Sequence, residues 1–330
     1  MESDPNLKKV VVLGTGGTIA GTASNAADNI GYTAAQVGVA RLLADVPGLQ
    51  VLLDGRLLVS EQVAQLDSKD LGFAVWVALA QRVSQCLADD TVQGIVVTHG
   101  TDTLEETAFF LHAVLPPERL MAKPVVLTCA MRPASSLSPD GPQNLLDALA
   151  VVLTPGAHGV VAVCAGTVHG ALDVQKSHTY KLDAFSSGDA GPLAYVEEGR
   201  VRLLRNWPVV LVSEARIAIE YVASWGVWPR VEIIMNHVGG SAAVADALML
   251  PLSGHAPLRG LVVAATGNGT MHVDLEAALR RVQAQGVKVW RSTRCANGTV
   301  LATANAEFED SKGLSPVKAR IALMLALMKN

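Results

Sequence analysis

VVVLGTGGTIAG (Val10–Gly21) passes from four apolar residues, three of them β-branched, into a glycine-rich turn carrying two threonines. A second stretch repeats the plan: GIVV (Gly94–Val97), then THGTDTLEETA (Thr98–Ala108). Short apolar runs of this kind read as strands buried on both faces, the mark of a parallel sheet. Both turns then lie at strand carboxyl ends, where open α/β sheets bind ligands. Two hydroxyl-bearing loops and one carboxylate, Asp102, share a crevice in this reading, an arrangement suited to covalent hydrolysis by threonine.

Working outward, apolar runs and amphipathic stretches alternate. VVVL precedes helix-like AAQVGVARLLADV (Ala34–Val46), stopped by Pro47-Gly48. LLVS (Leu57–Ser60) precedes an amphipathic segment from Asp70 to Cys86, and GIVV precedes LEETAFFLHAVL, ended by Pro116-Pro117. PVVLTC (Pro124–Cys129) leads to PQNLLDALAVVL, GVVAVC (Gly159–Cys164) is a further buried strand, and PLAYVEEGRVRLL (Pro192–Leu204) reads as a hairpin turning at Glu198-Gly199. This order predicts an α/β fold whose larger, N-terminal part is a mostly parallel sheet flanked by helices. The pattern blurs after Arg205 and resumes as VEIIM (Val231–Met235), LVVAA (Leu261–Ala265), DLEAALRRVQAQG (Asp274–Gly286) and VKVW (Val287–Trp290). A last helix, SPVKARIALMLALM (Ser315–Met328), has Ser315 as N-cap and Pro316 at its first position. A chain of 330 residues exceeds the usual size of one core. The expected division is an N-terminal domain over 1–205 carrying the threonines, a linker over 206–230 and a smaller C-terminal α/β domain over 231–330.

Bulk properties narrow the function classes. Half the residues are apolar and 17% are charged, a well-buried globular composition. A net charge of −4 with interspersed signs leaves no nucleic-acid or membrane footprint. The longest apolar runs, such as LGFAVWVALA (Leu71–Ala80), are too short to cross a bilayer. MESDPNLKKV has no apolar signal core after its charges, so the expectation is a chain that stays in the cytoplasm. Cys86, Cys129, Cys164 and Cys295 are widely spaced with no C-x-x-C; three of them lie in or beside apolar runs, where a buried free thiol is the ordinary reading, and no disulfide framework is expected. The eight histidines are scattered without metal-ligand spacing, and His99 reads as a structural residue of its strand-end turn.

A dinucleotide reading of the first turn fails on spacing. Counting from Gly14 and Gly16, the third glycine position falls on Ile19, and no Lys-Ser/Thr pair completes a phosphate loop. Thr18 instead exposes a hydroxyl among glycines that let a substrate approach the backbone, although most Gly-Thr pairs are only caps or turns. Asp102 and Thr103 equally suit the cap of the following helix. A threonine nucleophile needs a nearby base, and that base needs a third group to orient it. Lys176, in HGALDVQKSHT, is the cation placed to hydrogen-bond Asp102 and approach Thr101.

The chain resembles the bacterial-type L-asparaginases of the asparaginase/glutaminase family. GTGGTIAG and THGTDTLEETA are similar to that family's two threonine motifs, AMRPASSLSPDGPQNLLDAL (Ala130–Leu149) to the segment that follows, and DVQK (Asp173–Lys176) to its lysine motif. GNGT (Gly267–Thr270) and SPVKAR (Ser315–Arg320) resemble the smaller domain. The resemblance implies an amidohydrolase converting L-asparagine to L-aspartate and ammonia, with weaker action on glutamine as a side activity and no cofactor. It implies Thr18 as nucleophile and Tyr32 as the tyrosine of a mobile lid over Gly21–Gly31. Thr101, Asp102 and Lys176 become a second triad. The Thr101 N–H would be the oxyanion donor and the Ala130 carbonyl the acceptor for the substrate amide. Ser68 would contact the α-carboxylate and Asp102 the α-ammonium. Glu307, in NAEFED, would reach the same ammonium across a subunit interface, so a homo-oligomer, a dimer of dimers, is expected.

Two positions depart from the family pattern. Lys69 stands where several members have Gln or Glu, and a cation there should repel ammonium or pull on carboxylate. Thr270 stands where some have asparagine, which would leave its interface contact to water. Other readings compatible with the residues are a preference for glutamine or D-asparagine, a subunit of a tRNA-linked amidotransferase, and a silent amino-acid binding protein. The amidotransferase subunit carries an extra N-terminal domain for which a first strand near Val10 leaves no room. Intact Thr18, Thr101, Asp102 and Lys176 speak against the silent protein.

Overall fold

The computed structural model describes residues 7–209, 216–251, 253–254, 256–301 and 306–329. The export reading of the first residues, and residues 210–215 of the expected linker, lie outside the described residues. The chain divides into two compact units, Met1–Ile219 and Glu220–Asn330.

The first unit is built on an eight-stranded sheet. Along the chain its elements are β1 (Lys9–Gly16), α1 (Val39–Ala44), α2 (Leu49–Leu53), β2 (Leu57–Leu66), α3 (Phe73–Ala88), β3 (Val92–Thr98), α4 (Leu104–Val114), α5 (Pro117–Leu120), β4 (Pro124–Thr128), α6 (Gly141–Leu153), β5 (Gly159–Cys164) and β6 (Thr167–Gly170). A two-stranded ribbon follows, β7 (Gln175–Lys176) with β8 (Phe185–Ser186), then β9 (Ala194–Glu197) and β10 (Arg200–Leu203). The strand order is β10-β9-β6-β5-β4-β3-β1-β2. The five strands β2-β1-β3-β4-β5 are parallel, and β6, β9 and β10 add an antiparallel margin.

The order explains where a ligand belongs. From β1 the chain moves out to β2, then returns to β3 on the other side of β1. Successive connections therefore diverge at the carboxyl ends of β1 and β3, and a crevice opens where the winding reverses. Val10, Val12 and Leu13 of β1 and Ile95, Val96 and Val97 of β3 are fully buried, each such side chain contributing about 1.5–3 kcal/mol relative to exposure. Val12, Val96, Val126 and Val161 share a core with Leu145 and Leu149 of α6. The crevice thus rests on deeply buried strands.

Local readings are corrected in three places. The helix expected over Ala34–Val46 shrinks to α1, because Ala35 has φ +58° and the N–H groups of Gln36 and Val37 both turn to Ala20 O. Helical geometry resumes only past Gly38. β2 runs on from Ser60 to Leu66 beside β1. The segment read as helical from Asp70 starts at Phe73, after a single 3-10 turn over Ser68–Asp70. The hairpin of β9 and β10 does turn at Glu198-Gly199, where φ values of +49° and +70° suit a tight turn of the mirror-image type.

A short helix, α7 (Ile219–Ala223), falls inside the segment read as linker. The second unit continues with β11 (Arg230–Met235), α8 (Ala243–Leu248), β12 (Leu258–Ala265), α9 (Val273–Ala284), β13 (Lys288–Thr293), β14 (Glu309–Asp310) and α10 (Pro316–Met328). Its sheet, β11-β12-β13-β14, is wholly parallel. Leu261, Val263, Leu275, Leu279 and Val289 lie in its core. Ser315 occupies the N-cap of α10 with Pro316 inside the first turn, but its hydroxyl makes no cap bond.

Candidate active site

Three loops meet above β1 and β3, and the glycines show how closely. Gly17 has φ +82°, and a Cβ on it would collide with the Gly100 backbone. A Cβ on Gly100 would lie 2.5 Å from Ser68 Oγ and 3.2 Å from Gly17 Cα. The backbones leading into Thr18 and Thr101 therefore touch at Gly17 and Gly100, with the Ser68 side chain packed on Gly100, and only residues without side chains at 17 and 100 permit it. Further bonds fix the junction. Gly17 N–H donates to Leu66 O at 2.9 Å, Thr15 Oγ1 to Thr98 O at 2.9 Å and Thr103 Oγ1 to Ser68 O at 2.9 Å.

Each threonine hydroxyl has its own partner. Thr18 is 7% exposed and its Oγ1 lies 2.6 Å from the Tyr32 hydroxyl. Tyr32 belongs to the segment after the first turn, whose base is closed by a reciprocal pair of bonds between Thr22 and Thr33, each 2.9 Å. That segment is tied to the stretch after β4 by Ala134 N–H to Gly21 O (2.9 Å), Ala23 N–H to Ser135 Oγ (2.7 Å), Leu137 N–H to Ala26 O (3.0 Å) and Ser136 Oγ to Asn29 Oδ1 (2.7 Å). These bonds fasten the segment between Gly21 and Gly31, the expected lid, to the stretch after β4. Thr101 Oγ1 instead accepts from Lys176 Nζ at 2.9 Å, and the same nitrogen donates to Asp102 Oδ1 at 2.6 Å. Lys176 is delivered by the β7–β8 ribbon, its N–H reaching Glu105 Oε1 of α4 at 3.3 Å. Its side chain is 18% exposed while that of Asp102 is 52% exposed, so the carboxylate keeps a face open.

A buried relay that the sequence reading missed supports the second loop. Trp76 Nε1–H donates to Thr107 Oγ1 at 2.9 Å, and Thr107 Oγ1 lies 2.9 Å from His99 Nε2. The Gly100 carbonyl facing Nδ1 can only accept, so the imidazole proton sits on Nδ1 and the bare Nε2 accepts the Thr107 hydroxyl hydrogen, while Thr107 Oγ1 accepts from the indole. Nδ1–H then donates to Gly100 O at 2.7 Å. Burial holds His99 down at about 4, so the ring is neutral in neutral solution. Apart from the spacing of His99 and Thr107 nothing along the chain announces this arrangement, because Trp76 arrives from another helix.

The other expected residues divide. Ser68 is 2% exposed and its Oγ is buried without a hydrogen-bond partner among the described residues. Ala130 is buried at the end of β4, beside Gly141, which in turn packs on Ile19 next to Thr18. Lys69 departs from expectation: its Nζ is 2.5 Å from Asp70 Oδ2 and 3.6 Å from Asp67 Oδ2. The hydrogen bond to Asp70 raises its pKa, and its charge is answered by its own neighbours. Thr270 and Glu307 belong to the second unit. Thr270 Oγ1 lies 3.0 Å from Thr266 Oγ1, and Glu307 takes Arg280 Nε on both oxygens at 2.7 and 2.8 Å. Among the described residues no group of three or more His, Cys, Asp or Glu is placed to hold a metal ion.

Residues 9–209 match the family model described as Asparaginase, N-terminal, and residues 230–330 the one described as Glutaminase/Asparaginase C-terminal domain. The chain belongs to the asparaginase family. It is 36% identical to a glutaminase-asparaginase of Pseudomonas fluorescens biotype A, over 100% of this chain and 89% of that one. It is 35% identical to L-asparaginase 2 of Escherichia coli K12, over 97% and 89%. The crystal structure of a probable cytoplasmic L-asparaginase from Campylobacter jejuni superposes with a TM-score of 0.86 at 34% identity, covering 98% of this chain and 96% of that one. Asparaginase membership fits the crevice described above, in which both threonine motifs face each other through touching glycines.

Proposed function

We propose that this asparaginase-family chain hydrolyses L-asparagine to L-aspartate and ammonia through an acyl-enzyme on Thr18. The observation that carries the reading is the 2.6 Å contact between Thr18 Oγ1 and the Tyr32 hydroxyl, one backbone contact away from the Lys176-held Thr101. Thr18 Oγ1 attacks the side-chain amide carbon as its hydrogen passes to the Tyr32 oxygen and the phenol gives its own hydrogen onward to the departing nitrogen, so that Tyr32 ends the step as it began. The Thr101 N–H faces the developing oxyanion and the Ala130 carbonyl the amide nitrogen. Ammonia leaves, water attacks the ester, and aspartate is released with the Thr18 hydroxyl restored.

Recognition of a free amino acid follows from the remaining groups. Ser68 Oγ binds the α-carboxylate and Asp102 the α-ammonium, a charge-assisted contact that an acylated amine would lack. In the free protein Lys176 Nζ donates to Asp102 Oδ1 and Thr101 Oγ1. A substrate ammonium bound to the same carboxylate would compete with Lys176 for Asp102, leaving the Lys176 amine turned toward Thr101.

A glutaminase side activity is part of this reading, since one relative is named a glutaminase-asparaginase. The active unit is a homotetramer in which Glu307 of one copy approaches a neighbour's site, exchanging its bond to Arg280. The proposed location is the cytoplasm, as for the Campylobacter protein, although a Haemophilus influenzae relative at 34% identity is named a probable periplasmic L-asparaginase. A coupled ammonia assay with L-Asn, D-Asn and L-Gln tests the function. Preference for L-Asn supports it, and binding of L-Asn with no ammonia released refutes it.

A further inference from the structure

Two thiols that this chemistry does not use meet at the carboxyl ends of β4 and β5. Thr128 of β4 is in register with Val163 of β5, and the next residue on each strand is a cysteine. Cys129 is 1% and Cys164 4% exposed, and their Sγ atoms lie 2.9 Å apart. Adjacent strands run about 4.8 Å apart, inside the roughly 4.4–6.8 Å span that a disulfide bridges between Cα atoms.

The backbone at both cysteines is already fixed in that relation. Asn144 Nδ2 donates to Cys129 O at 2.9 Å, while its Oδ1 accepts from Ala165 N–H at 3.0 Å. Thr128 Oγ1 donates to Val163 O at 2.9 Å one residue earlier. One buried amide and one hydroxyl therefore span the pair on either side. Bond formation asks the sulfurs to approach by less than an ångström, toward about 2.04 Å, without moving the strands.

We propose that Cys129 and Cys164 are a disulfide site, closed when the chain folds in the presence of a low-molecular-weight disulfide such as oxidised glutathione. One protein thiolate attacks the oxidant and expels a thiol, giving a mixed disulfide. The second cysteine displaces the remaining half as another thiol. Two protein thiols are oxidised to one S–S bond and one small disulfide is reduced to two thiols. Closure belongs to folding, because thiolate is the attacking form and burial together with the Cys164 contact pushes the Cys129 thiol well above its usual range in the finished structure. The bond closes a loop between residues 35 apart, ending one residue before Ala130. It restricts the unfolded chain more than the native one, so the oxidised form is the more heat-resistant.

The test is to unfold the reduced protein, refold it with a glutathione redox pair and keep the fraction with native circular dichroism and size. Thiols titrated in denaturant should fall from four to two, peptide mapping should join Cys129 to Cys164, and the melting temperature should rise by about 5 °C or more over the reduced form. Cys164→Ala should abolish both the bond and the rise. Four titratable thiols in the refolded protein, a bond involving Cys86 or Cys295, or an oxidised form that melts no higher overturns the proposal. If the reduced chain does not refold, synthesis of the protein in a cell-free reaction containing the same glutathione pair lets closure accompany folding, and the same count decides between the same outcomes.

Discussion

Thr18 and Thr101 are both buried, yet their hydroxyls have partners of different character. Thr18 shares a hydrogen with a phenol, and Thr101 accepts one from an ammonium that also serves Asp102. That difference fits the proposed reading, in which Thr18 is the nucleophile and Thr101 belongs to the set held by Lys176. Thr18→Ala and Thr101→Val should each lower kcat by about a thousandfold or more with little change in melting temperature; retention of several per cent of activity would contradict either role. Lys176→Met should lower kcat far more than it raises KM, and an equal loss in both would make Lys176 a purely binding or structural group. Lys69 teaches the opposite lesson. Its charge looked disruptive along the sequence, but a 60%-exposed ammonium paired to Asp70 acts weakly beyond its partners. Lys69→Gln should change the KM for asparagine by less than about threefold, and a tenfold change would put its cation back in the site.

At the scale of elements, the site depends on turns that must touch. Gly100→Ala would press a methyl group against Ser68 Oγ and the Gly17 backbone. Overpacking of that kind costs about 1–3 kcal/mol, and here it also parts Thr101 from Thr18. The expected result is a lower denaturation midpoint together with a large loss of turnover; normal activity in the Gly100→Ala protein would mean that the loops are not packed as described. These turns were legible in the sequence because strand, glycine turn and helix follow one another within a dozen residues. The start of α1 was not, since Gln36 and Val37 obey Ala20 across the loop rather than their own propensities. The Trp76–Thr107–His99 relay was hidden for the same reason: its members meet only once α3 and α4 have packed beside β3.

The whole molecule sets the acid limit. His99 is fully buried and holds its proton only below about 4, against 6.5 in the unfolded chain. Unfolding therefore takes up a proton between those values, and the stability owed to the neutral ring is complete above about pH 6.5 and lost as pH falls toward 4. The shift corresponds to about 3 kcal/mol at most. Urea titrations at pH 7.5 and 5 should show a fall in stability that His99→Asn reduces; an identical pH slope in both proteins would contradict the assignment. The α/β class and the separate smaller sheet could be read from alternating runs, which record burial directly. The order of strands could not, because register and the return from β2 to β3 are properties of the folded sheet. That return opens the crevice at β1 and β3, on which the proposed chemistry rests. Its most direct test is to quench the enzyme during turnover of L-asparagine and map the acylated residue by mass spectrometry. An aspartyl group on the peptide containing Thr18, absent in Thr18→Ala, is the expected result; the group on Thr101, or steady ammonia release with no acyl-enzyme at any time, would contradict the account.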